Sequence, residues 1–229
     1  MGFCLLPYVL NEPSGATSSN ACSIVFANDT VYTAGRYTNS GDVILPLYWR
    51  DNTPMDLYLP AGASVGQAWA ITFNESVYNA GVYFTDANPN KAQAVYWKGS
   101  TATVLPNLSG ATASYPYAIT VEGGTVYTAG VSSGITPGIS AVYWKNNSAP
   151  IALEKPSGVT VTYATSIAII NDSVYISGAF YKDSFWHPCY WKDGVLAAQY
   201  IMDTGNDFNM SGYEPYLTSL NGRSFIVFE

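Results

Sequence analysis

The chain repeats itself at a nearly fixed interval, and this periodicity limits the possible folds more than any single motif does. A Tyr-Trp-Lys or Tyr-Trp-Arg triplet occurs four times, at intervals of 48, 47 and 47 residues, beginning at Tyr48, Tyr96, Tyr143 and Tyr190. A second motif keeps the same spacing: "VYTAG" 31–35, "VYNAG" 77–81, "VYTAG" 126–130 and "VYISG" 174–178. Periods of about 40 to 50 residues are typical of solenoids and propellers.

Each repeat is predicted to form four short β-strands. In the third repeat, "YAITV" 117–121 is the first strand, a Gly-rich turn follows, and "VYTAG" is the second strand. The Tyr-Trp-Lys segment is the third strand, and segments such as "VLAAQYI" 195–201 are the fourth. Asn, Asp and Gly between the strands tolerate the left-handed backbone of tight hairpins. Four antiparallel strands per repeat describe a propeller blade, so the predicted fold class is all-β.

The two ends of the chain are predicted to share a fifth blade. Residues 10–35 align without a gap on 153–178, which gives residues 4–10 the position of a fourth strand. Residues 214–229 align without a gap on 115–130 and supply a first and a second strand. The prediction is a single domain, a five-bladed β-propeller of four-stranded antiparallel blades, closed by the N-terminal strand joining the C-terminal hairpin. The repeats span approximately 21–66, 67–113, 114–161 and 162–210, and the fifth blade is shared between 1–12 and 213–229.

The shared blade has no Tyr-Trp-Lys strand, because the same alignment places Met1 on Trp144. Two explanations remain open. Either the fifth blade has three strands, or the chain is a piece of a longer array. The first is favoured, since the residues present fill a ring.

Charge and composition narrow the choice of partners. The formal net charge is −7, and no stripe of Lys or Arg is present, which argues against a nucleic-acid partner. No apolar run is long enough to span a bilayer, so membrane insertion is not expected. Cys4, Cys22 and Cys189 lack metal-site spacing and are expected to be buried thiols; no metal and no cofactor are predicted. The sequence does not identify the cellular compartment, although a secreted or cell-surface bacterial location is favoured if a signal peptide was removed.

The "VYTAG…AVYWK" repeat resembles the repeats of bacterial β-propeller proteins of largely unassigned function, and the resemblance covers nearly the whole chain. In size and blade number the chain is also similar to the tachylectin-2 lectins, which are five-bladed and bind sugars. The lectins' own repeat motif does not match these residues, so no sugar-binding residue is carried over from them.

The Tyr-Trp pairs are interpreted as packing residues. Two consecutive large aromatics suit a strand that is covered on both faces, and the cation that follows is solvated at a hairpin. The competing interpretation makes each Trp a stacking platform with one ligand site per repeat. The eight residues concerned are Tyr48, Trp49, Tyr96, Trp97, Tyr143, Trp144, Tyr190 and Trp191.

Recognition is expected where the repeats differ, at the rim that carries the second-to-third and fourth-to-first connections. The second-to-third loops are predicted at 36–42, 83–93, 132–140 and 180–188, the last being the most divergent. The rim is rich in aromatics, hydroxyls and amides, which suits a carbohydrate or a protein partner. The candidate ligand-binding residues are Trp69, Tyr115, Tyr117, Tyr163, Trp186, His187, Tyr213 and Tyr216.

Evidence for an enzyme is weak in the sequence. His187 is the only histidine, so neither a multi-His metal site nor a recognisable catalytic triad is indicated. A glycosidase would need paired carboxylates, and none of the rim candidates lies on a predicted first strand; these are Asp42, Asp86, Asp183, Asp203, Asp207 and Glu214. The oxygen-rich segment 203–214 lacks the spacing of a calcium loop.

The sequence therefore favours a non-catalytic recognition module that binds carbohydrate at the rim. A protein-interaction scaffold and a glycoside hydrolase that uses rim carboxylates are the alternatives. No residue is predicted to be catalytic.

Overall fold

The structure is a computed structural model that describes residues 9–135, 138–199, 216–220 and 223–227, with the backbone alone for 198–199 and the last two segments. Every regular element in these residues is a β-strand, which confirms the predicted all-β class. A search of the described residues finds no helix that is long and apolar enough to cross a membrane.

Sixteen strands form four successive groups of four, which we call blades 1 to 4. Blade 1 contains β1 Ala16–Ala27, β2 Thr30–Asn39, β3 Ile44–Arg50 and β4 Thr53–Asp56. Blade 2 contains β5 Ala63–Asn74, β6 Ser76–Thr85, β7 Asn88–Lys98 and β8 Thr101–Val104. Blade 3 contains β9 Ala113–Glu122, β10 Thr125–Ile135, β11 Gly138–Lys145 and β12 Ile151–Ala152. Blade 4 contains β13 Val161–Ile170, β14 Ser173–Lys182, β15 Phe185–Lys192 and β16 Val195–Gln199.

Within each blade the strands pair antiparallel in sequence order, as predicted. The blades are not four fully separate sheets, however. Blades 3 and 4 are joined by one parallel bridge between Ile139 and Val161, where the Ile139 N–H donates to the Thr160 carbonyl over 3.1 Å. The prediction of purely antiparallel blades is wrong at this junction, because the β10–β11 hairpin reaches the strand that starts the next blade.

A fifth pair of strands, β17 Tyr216–Leu220 and β18 Arg223–Val227, forms an antiparallel hairpin beside β13 and β14. Residues 1–8 lie outside the described residues. The predicted closure of a ring by residues 4–10 therefore also lies outside them.

The predicted hairpin turns are built from residues with a left-handed backbone. Asn28 and Asp29 have φ of 50° and 56°, and Asn171 and Asp172 have φ of 48° and 63°. Two consecutive positive φ angles are the mark of the tight turn whose twist matches a β-hairpin. The turn residues therefore hold each first strand against its second strand in a fixed register.

The four tryptophans of the Tyr-Trp motif are buried: Trp49 is 1% exposed, and Trp97, Trp144 and Trp191 are 0% exposed. Each indole N–H donates to a backbone carbonyl in the segment that enters its own blade; the acceptors are Asn11, Tyr58, Pro106 and Glu154, at 2.7 to 2.8 Å. A buried indole N–H without an acceptor lowers the stability of the fold. Each of these hydrogen bonds therefore satisfies the N–H and also fixes the segment that connects two blades.

Asn79 is a defect in this packing. Its side chain is 0% exposed, and neither Nδ2 nor Oδ1 has a hydrogen-bond partner among the described residues. The equivalent residues of the other "VYxAG" motifs are Thr33, Thr128 and Ile176. An unsatisfied buried amide costs about 1–3 kcal/mol.

We expect Asn79→Thr to raise the free energy of unfolding by about 1 kcal/mol, because threonine has a similar volume and fewer polar atoms to satisfy. Urea unfolding measures the change. The reciprocal variant Ile176→Asn is the matched control. Its free energy of unfolding should fall by about 2 kcal/mol or more, since it buries an amide without hydrogen-bond partners in blade 4. A lower stability for Asn79→Thr would contradict this account.

Candidate functional site

The first strand of every blade carries one β-bulge at the same repeat position. The extra residues are Cys22, Trp69, Tyr117 and Thr165, each opposite the Ala-Gly or Ser-Gly step of the second strand. Each first strand also lies beside the first strand of the next blade, β1 beside β5, β5 beside β9 and β9 beside β13. Bulges re-aim side chains and are common beside active sites.

The glycine of "VYxAG" is required by this bulge. A Cβ built on Gly81 would lie 1.9 Å from the Gln67 carbonyl oxygen, and one built on Gly130 would lie 2.0 Å from that of Tyr115. The same approach recurs at Gly35 and Gly178. The repeated glycine therefore makes room mainly for the bulged strand of its own blade.

Each bulge displays two side chains, which we call an inner-strand pair: the bulged residue and the residue two positions earlier. The four pairs are Asn20 and Cys22, Gln67 and Trp69, Tyr115 and Tyr117, and Tyr163 and Thr165. No member of a pair is buried. The backbone geometry repeats while the side chains differ, which is the arrangement expected of a site that is specific for one ligand.

Trp69, Tyr115 and Tyr117 form one aromatic cluster across the junction of blades 2 and 3. The Trp69 ring is nearly parallel to that of Tyr115, with centroids 6.3 Å apart and an interplanar angle of 5°. It is also stacked on Tyr117, at 5.8 Å and 16°. All three residues are partly exposed, so the aromatic cluster is accessible from solvent.

Gln67 links this aromatic cluster to blade 1. Its Oε1 accepts a hydrogen bond from the Trp69 indole N–H at 3.2 Å and another from the Arg36 guanidinium.

Partial burial raises the pKa of the Cys22 thiol, and the positive charge of Arg36 offsets part of that rise. The expectation that all cysteines are buried is wrong for Cys22, which is exposed on β1 although its thiol is partly shielded from solvent; Cys189 is buried, and Cys4 lies outside the described residues.

A second group of rings lies on blade 4. The Trp186 ring packs edge-on against Tyr163, with centroids 5.4 Å apart, and is tilted by 60° against Tyr181, with centroids 5.3 Å apart. His187 instead stacks on Phe180, with centroids 5.0 Å apart, and its Nε2 lies 3.2 Å from the Lys182 carbonyl oxygen. Of the predicted ligand-binding residues, Trp186 and Tyr163 are thus brought together, while His187 is engaged elsewhere.

The predicted rim loops are tighter than expected. Residues 180–188 form the ends of β14 and β15 around a two-residue turn, in which Asp183 and Ser184 have φ of 50° and 70°. Residues 83–93 similarly belong almost entirely to β6 and β7. Trp186 therefore lies on a strand, because the ladder of hydrogen bonds extends to the hairpin tip. Tyr213 and the side chain of Tyr216 lie outside the described residues.

The carboxylates do not converge in the described part of the chain. Asp42, Asp86 and Asp183 are exposed at the tips of separate second-to-third hairpins, while Asp203, Asp207 and Glu214 lie outside the described residues. No group of three His, Cys, Asp or Glu side chains within the described ranges could hold a metal ion.

Two pockets lie between blades at the end opposite the second-to-third hairpins, beside the first-to-second turns. One, of about 390 Å³, is lined by Tyr78, Tyr96 and Lys98, and another, of about 380 Å³, by Tyr32, Tyr48 and Arg50. The cations recur with the repeat, and Lys98 lies over the Tyr78 ring at 5.6 Å. These pockets follow the shared motif, whereas the inner-strand pairs differ from blade to blade and are the better candidates for a specific site.

Searches with known proteins identify similar folds but no sequence relatives. No family model matches the chain, and no curated protein matches it. A thermostable family-43 glycoside hydrolase has a similar structure, with a TM-score of 0.53 at 11% identity over 96% of this chain and 86% of that one. A putative glycoside hydrolase from Parabacteroides distasonis gives a TM-score of 0.50 at 10% identity over 93% and 84%.

This likeness supports the predicted β-propeller fold in general. It does not bear on the specific "VYxAG" repeat family or on the similarity to tachylectin-2. The similar structures are glycoside hydrolases, and this finding contradicts our expectation of a non-catalytic recognition module. At these identities the likeness establishes the fold alone, and the activity of this chain is a proposal.

Sequence reasoning missed Arg36, Gln67, Asn20, Cys22 and Thr165. The available signal was the triplets at 20–22, 67–69, 115–117 and 163–165, where a small or proline residue separates two variable ones at repeat spacing. These triplets can be recognised only when the position of the bulge is known, because the bulge adds one residue to a strand without changing the turn motifs around it.

Proposed function

We propose that the chain is a glycoside hydrolase that holds its saccharide on the aromatic cluster of Trp69, Tyr115 and Tyr117. The cluster is the observation that carries the proposal. Its partly exposed aromatic residues suit the apolar face of a sugar ring, and the adjoining hydroxyl and amide groups suit sugar hydroxyls. The fold shared with glycoside hydrolases supports the same assignment.

Hydrolysis requires an acid and a base or nucleophile, usually two carboxylates on opposite sides of the scissile bond. The proposal draws them from the rim candidates Asp42, Asp86, Asp183, Asp203, Asp207 and Glu214. The gap-free repeat alignment pairs Glu214 with Tyr115, which precedes the first strand predicted at 117–121 but lies on β9 in the structure, as the first residue of an inner-strand pair. Glu214 is therefore the first carboxylate to replace.

We also propose that the chain is a single propeller domain with a fifth blade shared between 1–12 and 213–229. The hairpin of β17 and β18 supports this proposal, because it reproduces the first-to-second strand pairing of the other blades and lies beside blade 4.

Replacing carboxylates one at a time tests the hydrolase. The release of reducing ends from arabinan, xylan, galactan and pectin first identifies a substrate. On that substrate we expect Glu214→Gln to lower kcat by a factor of at least about 100, as expected for loss of a general acid or base. Asp42→Asn, Asp86→Asn, Asp183→Asn, Asp203→Asn and Asp207→Asn form the rest of the series. Full activity in all six folded variants would contradict the proposal.

The binding role of the aromatic cluster is tested on the same substrate. Trp69→Ala should raise KM about tenfold or more, since truncating an anchoring aromatic typically costs about 2 kcal/mol. Tyr58→Ala is a matched control, because Tyr58 is 68% exposed and only its backbone carbonyl accepts a bond from Trp97. An unchanged KM in Trp69→Ala would show that the aromatic cluster does not bind the substrate.

A further inference from the structure

Arg36 is a cation with no acidic partner among the described residues. It lies on β2 directly opposite Asn20 and is partly buried at the junction of blades 1 and 2. Its hydrogen-bond partner is the neutral Gln67 amide, which can satisfy only part of the guanidinium. Arginine is the side chain best suited to paired hydrogen bonds with a carboxylate, and such bonds are strengthened by charge.

The position of Arg36 relative to the aromatic cluster is fixed by Gln67. One oxygen, Oε1, accepts from both Arg36 and the Trp69 indole, so the cation lies close to the edge of the ring. None of the four inner-strand pairs of blades 1 to 4 contains an acidic residue, although the chain as a whole is acidic; the repeat alignment assigns the one acid, Glu214, to the fifth blade. A saccharide on Trp69 would thus have its substituents within reach of a positive charge.

We infer that the saccharide taken by this site carries a uronic acid, whose carboxylate binds Arg36 while a sugar ring stacks on Trp69. The inference rests on the proposed hydrolase and adds the substrate class. Gln67 acts as a positioning residue, since it orients both the guanidinium and the indole. A neutral saccharide would leave the guanidinium without an ionic partner and would bind less tightly.

Binding of matched saccharides tests the inference. The probes are trigalacturonate and a glucuronate-branched xylo-oligosaccharide, each compared with its own methyl ester, which keeps the sugar backbone and removes the charge. Titration calorimetry at low and high salt gives Kd. At least one acid should bind about tenfold or more tighter than its ester, and the preference should shrink as salt rises.

Variants assign the preference to Arg36. Arg36→Gln should reduce the ratio of acid to ester affinity to about one, and Arg36→Lys should retain part of it. Arg50→Gln is the control, because Arg50 is an exposed arginine at the far end of the same blade and should leave the ratio unchanged. Circular dichroism confirms that each variant is folded.

The outcomes separate this inference from the proposed function. Equal affinity for acids and esters, with hydrolysis of a neutral polysaccharide, would overturn the uronate inference and leave the hydrolase standing. An acid preference that survives Arg36→Gln would also overturn it. No binding to any probe and no hydrolysis of any polysaccharide by the folded protein would overturn both.

Discussion

Replacing Gly81 by alanine is expected to destabilise the protein by about 3 kcal/mol or more, the upper end of the cost of overpacking. The new Cβ would lie 1.9 Å from the Gln67 carbonyl oxygen and 2.9 Å from the Ala68 Cα, so backbone atoms on β5 would have to move. The bulge that displays Trp69 would be lost or displaced. Urea unfolding measures the stability, and the shift of indole fluorescence reports the position of the tryptophans.

Gly41→Ala is the matched control for this substitution. The nearest atom to a Cβ on Gly41 is the Asn39 Oδ1 at 3.4 Å, an ordinary contact in an exposed turn. Its effect should stay within about 0.5 kcal/mol. Equal stability of the two alanine variants would mean that the repeated glycine does not serve the bulge.

Truncating Trp97 to alanine should cost about 3–5 kcal/mol, the usual range for a buried tryptophan. The ring is fully buried between blades 1 and 2, and its N–H donates to the Tyr58 carbonyl at 2.8 Å. Trp97→Phe keeps most of the volume and loses the donor, so it should cost about 1–2 kcal/mol. Denaturant unfolding of the two variants separates packing from hydrogen bonding.

The control for Trp97 is Trp186→Ala, which removes a partly exposed tryptophan on blade 4 and should cost about 1 kcal/mol. If Trp97→Ala were no more destabilising than Trp186→Ala, the Tyr-Trp motif could not be a packing element. A ligand site at each Trp would then become the better interpretation, although a fully buried ring has no free face to offer.

The periodic part of the fold could be predicted because each repeat carries its own local signals. Turn residues such as Asn28 and Asp29 define hairpins from neighbouring residues alone, and the consecutive aromatics Tyr48 and Trp49 mark a strand that is buried on both faces. The bridge between Ile139 and Val161 could not be predicted, since it depends on how far two blades approach each other.

The candidate site was predicted in part. Trp69, Tyr115 and Tyr117 were selected as exposed aromatics, and they do lie together. The contact between Arg36 and Gln67 joins residues 31 positions apart in different blades, and no local pattern reports it. His187 was selected because it lies in the most divergent second-to-third loop, yet its ring is used in stacking on Phe180.

The most direct test of the central claim is the release of reducing ends from arabinan, xylan, galactan and pectin by the purified wild-type protein. The proposal predicts release from at least one of these polysaccharides, at a rate that falls in Trp69→Ala and in Glu214→Gln. No release from any of them, by protein that circular dichroism shows to be folded, would contradict it.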